Sequence, residues 1–260
     1  MPNDFDASAK NYDTIFTFSE IGKAQRNLVL QYLSKNILQK EKLNILELNC
    51  GTGEDAMYFS KKGHRILATD ISKVMLQTAK IKCQNTNIRF VQQNINTITD
   101  KTFTEQFDLI FSNFGGLNCL SKPQLDRFTK ISTSLLTSSG KMVLVIMPKQ
   151  CLWERIYFLL KGKNKKAFRR NTNKPVLANV EGVQIPTWYY NPKDIVTLAK
   201  DNYKILAIKP IGMSIPPSYL ESFFTNKKGV LKLLIRFEGL FSFRFWARYA
   251  DHYLIALQKK

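Results

Sequence analysis

The sequence predicts an α/β fold, a mostly parallel sheet with helices on both faces. Three observations carry this expectation. Short apolar runs of strand length alternate with helical segments between residues 43 and 148. A glycine-rich turn follows the first run directly and opens a helix. An acidic residue, Asp70, ends the second run. Strand, helix, strand in this rhythm is the signature of parallel pairing with crossover helices.

Each element has its own justification. From Ser19, the apolar positions Ile21, Ala24, Leu28, Tyr32 and Leu33 follow helical spacing. Leu43–Leu48 reads as a buried strand, and a short helix follows at Asp55–Lys62. Strands are expected at Arg65–Thr69, Ile88–Gln92, Phe107–Ser112 and Lys141–Met147, with helices at Ser72–Lys82 and Gln124–Leu136. Past residue 148 the chain changes character. Trp153–Leu160 looks helical, Lys161–Arg170 is almost wholly basic, and Val176–Tyr190 reads as a strand pair turning at Glu181-Gly182. A helix at Pro192–Lys200, a strand at Lys204–Lys209 and a last strand at Tyr253–Leu257 resume the alternation. The expected organisation is an arm and cap helix over 1–42, a cofactor-binding core over 43–148, a basic and aromatic insertion over 149–190, and remaining core strands over 191–260 with a second insertion at about 216–248.

Composition bounds the classes. The chain has 260 residues, of which 44% are hydrophobic and 23% charged, so it can bury a core without staples. Four scattered cysteines and two histidines give no metal-ligand spacing, and the cysteines suit a reduced cytoplasmic protein better than a disulfide scaffold. The polar, acidic first residues do not read as a signal peptide. The net charge of +19 points to an anionic partner: nucleic acid, a lipid surface or an acidic substrate. A merely solvated basic surface would have the same composition.

The chemistry concentrates in Glu47-Leu-Asn-Cys-Gly51-Thr-Gly53-Glu54-Asp55 and in Asp70. Glycines let the backbone approach a ligand, and the helix start favours polar or anionic groups. A carboxylate at the end of the second strand can accept both hydroxyls of a ribose. Two adenosine cofactors suit that geometry. Gly51-Thr-Gly53-Glu-Asp-Ala56 formally matches a dinucleotide turn, so NAD is a rival. A dinucleotide turn has no need of Glu47, which could meet a cationic amine.

The run from Ile45 to Lys80 resembles motifs I and II of the class I S-adenosylmethionine-dependent methyltransferases, keeping Glu47, Gly51, Gly53 and Asp70. It departs at Asn49, where the family usually has its first glycine. Phe90–Ile95 is similar to the family's adenine-contacting segment, with Asn94 in place of an acid. Phe107–Asn118 matches the fourth strand and the loop beside the transferred methyl. Tyr12-Asp13, Ile21-Gly22 and Arg26 resemble the N-terminal cap of its small-molecule members. The resemblance implies a Rossmann-like seven-stranded sheet with the last strand antiparallel, and S-adenosylmethionine held by Gly51, Gly53, Asp70, Ile71, Asn94, Ile95 and Asn113. It also implies catalysis largely by alignment.

Tyr12 could close over the cofactor, and Arg26 could hold a carboxylate. Phe114 and Trp188-Tyr189-Tyr190 suit an apolar or aromatic acceptor, although plain strand packing explains the aromatic trio equally well. No residue compels a general base. His64 reads as structural. His252 reads as a turn or packing residue, a base only if its edge faces the site. Cys119 lacks the preceding proline of cytosine-modifying enzymes, and Ser112–Gly115 lacks the double proline of adenine-modifying ones.

Arg155–Lys174 carries eight basic residues, and Lys227–Arg248 interleaves six with large apolar side chains. Such a mixture suits a lid, an interfacial amphipathic helix or a nucleic-acid surface. The expected function is methyl transfer to a small apolar, aromatic or lipid-like acceptor, with peripheral contact to an anionic membrane surface. An RNA methyltransferase and a non-catalytic scaffold are the alternatives.

Overall fold

The computed structural model describes residues 6, 12–39, 42–83, 87–180 and 183–260. A π-helical turn at Asp13–Thr17 leads into α1 (Glu20–Asn36). Then follow β1 (Asn44–Leu48), α2 (Glu54–Lys61), β2 (Arg65–Asp70), α3 (Lys73–Lys82), β3 (Ile88–Gln92), β4 (Phe107–Ser112), α4 (Lys122–Leu135) and β5 (Leu136–Ile146). The first insertion holds α5 (Leu152–Leu160), α6 (Asn164–Ala167) and the hairpin β6 (Val176–Val180) and β7 (Val183–Thr187). After α7 (Pro192–Ala199) and β8 (Tyr203–Ile211) come α8 (Glu221–Phe224), α9 (Lys228–Phe237), two 3-10 turns and β9 (His252–Lys259).

Seven strands form one sheet in the order β3-β2-β1-β4-β5-β9-β8. The pairs from β3 to β5 are parallel, and β9 runs antiparallel to both β5 and β8. The expected strand pattern is thus present, with insertions after the fifth and sixth core strands. The turn at Glu181-Gly182 lies outside the described residues. The expected start of the fifth strand needs correction. It begins at Leu136, because residues 137–140 are extended but break the β4 register, which jumps from Phe107↔Leu136 to Leu109↔Lys141. Only the regular ladder from Lys141 carries the continuous apolar run.

The sheet is buried on both faces, which is why its strands read as continuous apolar runs. On β5, Met142, Leu144 and Ile146 face one core and Val143 and Val145 the other; β9 does the same with Ile255 and Leu257 against Leu254 and Ala256. One core takes Leu125 and Phe128 of α4 and Ile195 of α7. The opposite core takes Val29 and Leu33 of α1 and Phe59 of α2. Each fully buried side chain of this kind contributes roughly 1.5–3 kcal/mol. A third cluster, Ile21, Ile215, Leu220, Phe224 and Leu231, fastens α1 to the second insertion.

Capping fixes the helix starts. Ser19 and Ser72 accept backbone N–H groups of Gly22 and Met75, while Ser121 with Gln124 and Asn191 with Asp194 form capping boxes. Because β5 and β8 run in the same direction, both insertions leave from the carboxyl edge of the sheet. That edge also bears the glycine-rich turn after β1.

Candidate active site

The turn after β1 is held in left-handed backbone at Asn49 (φ 47°), Gly51 (φ 54°) and Gly53 (φ 83°). Asn tolerates that region better than most residues. Its side chain is also committed: Nδ2 donates to Asn113 O at 3.1 Å, and Oδ1 accepts from Ser112 Oγ at 2.7 Å. A Cβ on Gly116 would lie 2.0 Å from Asn49 Cγ. The asparagine therefore fills the room that Gly116 leaves, and ties the first turn to the loop after β4.

Asp70 reaches back to the same turn. Its Oδ2 accepts from Gly51 N and its Oδ1 from Ser72 N, both at 2.8 Å. Burial raises its carboxyl, with these backbone donors opposing. Tyr12 stands over the turn: a Cβ on Gly51 would meet only Tyr12 Cε1, at 3.8 Å. The arm is latched by Asp13, which accepts from Thr52 Oγ1 and pairs with Lys82 at 2.6 Å. Lys82 also pairs with Glu54 at 2.7 Å.

Beneath Tyr12 lies a buried charged group. Glu47 is 2% exposed, and its Oε2 has no hydrogen-bond partner. Asp55 Oδ1 and Arg26 Nε also lack one, sitting 3.5 Å apart but misaligned. Burial, then the neighbouring Asp55 and Asp70, pushes the Glu47 carboxyl well above its ordinary range, against the pull of Arg26. Asn113 Nδ2 donates to Asp55 Oδ2 at 2.9 Å, and its Oδ1 accepts from Phe114 N at 3.0 Å. That bond supports Phe114 in its left-handed conformation (φ 42°). The Arg26 guanidinium lies 5.5 Å from the Phe114 ring centre.

The structure thus brings Tyr12, Arg26, Glu47, Gly51, Asp70, Asn113 and Phe114 together at one edge of the sheet. Gly53 sits tightly behind the turn, where a Cβ would meet Ala79 and Phe90 at 3.1 and 3.2 Å. Ile71 is exposed after β2. Asn94 caps a 3-10 turn through Asn96 N, and Ile95 is half-buried beside it, past the end of β3. Trp188, Tyr189 and Tyr190 are placed differently. Trp188 N and O bond to Asn118. Tyr189 lies under Arg170, and Tyr190 is 5% exposed with its hydroxyl donated to Leu120 O. These rings pack the hairpin against the core.

One residue was given no role in the sequence: Asp55, in the first turn of α2, is the partner Arg26 faces. His252, read as a turn or packing residue and a base only if its edge faced the site, lies at the start of β9 with its ring centre 5.5 Å from that of Phe114, so its edge does face the site. Its Nδ1 is 3.2 Å from Asp251 Oδ2. Burial alone would raise the Asp251 carboxyl, yet His252 and Arg170 outweigh this and hold it well below the usual range. Only the fold could show this, since β9 is antiparallel and so begins at the carboxyl edge. His64 is buried and accepts from Leu43 N at 3.2 Å. The Cys119 thiol is pushed up by burial to about 11, which keeps it protonated and unsuited to attack.

These features fit S-adenosylmethionine. Asp70 keeps free lone pairs for ribose hydroxyls. The Glu47 oxygen without a hydrogen-bond partner suits an ammonium, and Arg26, ion-paired with Asp55 but not hydrogen-bonded to it, suits a carboxylate; a buried polar atom without a hydrogen bond is costly.

Comparison with known proteins agrees. Residues 45–140 match the profile of a family described as a methyltransferase domain. A malonyl-[acyl-carrier protein] O-methyltransferase of Acetivibrio thermocellus is 30% identical over 115 residues, 42% of this chain and 36% of that protein. Across the curated relatives it matches, the chain spans about a third to a half of their length. Among solved structures, the PH0226 protein of Pyrococcus horikoshii superposes with a TM-score of 0.58 at 17% identity, covering 96% of this chain and 99% of that one. DhpI in complex with SAM and HEP gives 0.63 at 17% identity, covering 98% and 94%. The matched stretch, residues 45–140, is thus similar to a methyltransferase domain, and it lies within a sheet whose fold the solved structures share.

Proposed function

We propose that the protein transfers a methyl group from S-adenosylmethionine to a small apolar, aromatic or lipid-like acceptor. The observation that supports this best is the buried set of Glu47, Asp55 and Arg26, with partnerless polar atoms under Tyr12 and beside Asp70. A scaffold would have no use for buried atoms left without hydrogen bonds, whereas a cofactor's amino acid end would satisfy them.

When bound, S-adenosylmethionine supplies an electrophilic sulfonium methyl. The chain's own residues do the rest. Asp70 and the Gly51 backbone fix the ribose end. Glu47, Asp55 and Arg26 hold the charged end, and Tyr12 excludes water from above. Asn113 positions Phe114, whose ring presents an apolar wall for the acceptor. His252, oriented by Asp251, is the group that can take a proton from an acceptor that must lose one.

The same reading includes peripheral contact with an anionic membrane surface. A second reading of the acceptor, an acyl group on a carrier protein, is favoured by what the Acetivibrio relative is named for. Calorimetric titration with S-adenosylmethionine, S-adenosylhomocysteine and NAD tests the cofactor, followed by transfer of labelled methyl to lipid extracts, small aromatics and acyl carrier protein. Binding of NAD alone, or no cofactor binding, would overturn the proposal.

A further inference from the structure

We infer that α5, the Ser218–Phe224 segment and α9 together form a docking face for an anionic lipid bilayer, set at the edge of the sheet where the acceptor enters. The inference deepens the methyl-transfer reading and rests on it for its purpose, while docking itself is measurable without cofactor or acceptor.

Helix α9 carries the first argument. Packing on the protein uses only Leu231, buried, with Leu234 and Ile235 half-buried against Ile21, Ile215 and Phe224. A second apolar row, Val230, Leu233 and Phe237, recurs at i, i+3 and i+7 and stands exposed, Leu233 by 50%. A third row, Lys228, Lys232 and Arg236, recurs at i, i+4 and i+8, also exposed. A lid needs the first row alone. An interfacial helix needs the second row in the acyl boundary and the third at the headgroups.

The face is continuous across two insertions far apart in sequence. Tyr157 and Phe158 of α5 meet Tyr219, with ring centres 6.1 and 6.5 Å apart, and Trp153 meets Phe224 edge-on at 6.3 Å. Leu159 and Leu160 project beside them, Leu160 being 84% exposed. Lys227 Nζ sits 3.8 Å above the Phe223 ring and Lys161 Nζ 4.4 Å above that of Tyr157. Ammonium groups perched on the exposed Phe223 ring and the half-buried Tyr157 ring match a boundary between apolar and charged layers.

Charge selects the occupant. The acids of this region are turned inward. Glu154 binds Arg169 and Arg170. Glu221 caps α1 through Glu20 N and Ile21 N, both at 3.0 Å. Glu238 accepts from the backbone N–H groups of residues 212–215. Among the described residues no ion pair involves Lys227, Lys228, Lys232 or Arg236. A second copy would press two such basic faces together, which like-charge repulsion opposes. Nucleic acid would use the cations but gain nothing from exposed Val230, Leu233, Leu159 and Leu160, which cannot stack on bases. An anionic bilayer satisfies both the cations and the aliphatic side chains.

The test is co-sedimentation of the full chain with phosphatidylcholine vesicles, with and without phosphatidylglycerol, at low and physiological salt. Three proteins are compared: the native chain, Leu233→Ser/Phe237→Ser, and Lys228→Glu/Lys232→Glu. Each is also titrated with S-adenosylhomocysteine. The native chain should bind anionic vesicles, and both variants should lose about tenfold or more in partitioning. Retained S-adenosylhomocysteine affinity shows each variant is folded. No preference for anionic vesicles would overturn the inference. So would binding indifferent to Leu233→Ser/Phe237→Ser. Tighter binding to bulk tRNA or to an acidic carrier protein, abolished by charge reversal alone, would assign the face to that partner instead. If vesicles bind but no cofactor does, the docking face stands and the methyl-transfer reading falls.

Discussion

Residues 44–112 and residues 152–248 meet at the same edge of one sheet, yet they are held there by different means. In the first region the site is assembled from strand ends and the turns that follow them. Asp70 reaches Gly51 and Ser72, and Asn49 reaches Ser112 and Asn113. In the second region the anchors are carboxylates reaching across the fold, with Asp251 just beyond that region as a partner. Glu154 and Asp251 grip Arg170, Gln25 donates to Asp251, Glu221 caps α1 and Glu238 fills a nest of backbone N–H groups. The difference teaches what each region is for. The first keeps polar atoms without hydrogen bonds inside, Glu47 Oε2 and Asp55 Oδ1, where a ligand can meet them. The second turns Glu154 and Glu238 inward and leaves cations and apolar side chains outside.

The largest expected effect comes from breaking an anchor of the second region. Glu238→Ala would strand buried N–H groups of residues 212–215, at a cost of at least about 3 kcal/mol. For a chain of this size that lowers Tm by roughly 6–12 °C. Protease cutting within 212–248 should rise as the segment loosens. Unchanged melting would show that this carboxylate does not hold the insertion, and the contrast between the two regions would fail. A smaller effect is expected in the first region. Asp70→Asn keeps the side chain's size but removes its charge and one acceptor. Titration should show S-adenosylhomocysteine bound about 10–100-fold more weakly. An affinity within twofold would remove Asp70 from the cofactor site.

The first region was legible because its chemistry follows strand ends. Glu47, Gly51, Gly53 and Asp70 sit where the alternation of elements puts a site, and Ile88–Gln92 and Phe107–Ser112 are strands to the residue. Asn49 is a partial exception. Its left-handed backbone was readable from its residue type, but its pairing with Gly116 was not, since the two loops meet only across β1 and β4. The second region was legible in composition and not in arrangement. Nothing local in Glu221 or Glu238 shows that each caps backbone elsewhere, and Trp188–Tyr190 read as well for a pocket as for packing. His252 needed the antiparallel direction of β9 before its place beside Phe114 could be seen.

The Asn49–Gly116 pairing gives a finer test. Gly116→Ala places a methyl against the asparagine side chain and should cost about 1–3 kcal/mol. Asn49→Gly alone loses two hydrogen bonds. Combined, they should be less destabilising than the sum, with a coupling of about 1–2 kcal/mol measured by chemical unfolding. Strict additivity would mean that the asparagine does not fill the glycine's space.

The smallest expected effect probes the buried Glu47 carboxyl itself. Burial and the carboxylates of Asp55 and Asp70 raise Glu47, against Arg26, so in the free protein it holds its proton to higher pH than an ordinary glutamate. An ammonium bound beside it favours the ionised form and lowers its pKa in the complex. Binding therefore releases a proton, and affinity rises with pH from the bound-state pKa up to the raised free-state pKa. The slope cannot exceed about tenfold per pH unit, or roughly 1.4 kcal/mol. Calorimetry of S-adenosylhomocysteine binding in phosphate and in Tris, whose ionisation enthalpies differ, reads the released proton directly. Glu47→Gln should flatten the slope and make the enthalpy independent of buffer. If that variant keeps the slope, the released proton is not that of Glu47, and the ammonium sits elsewhere than at the end of β1.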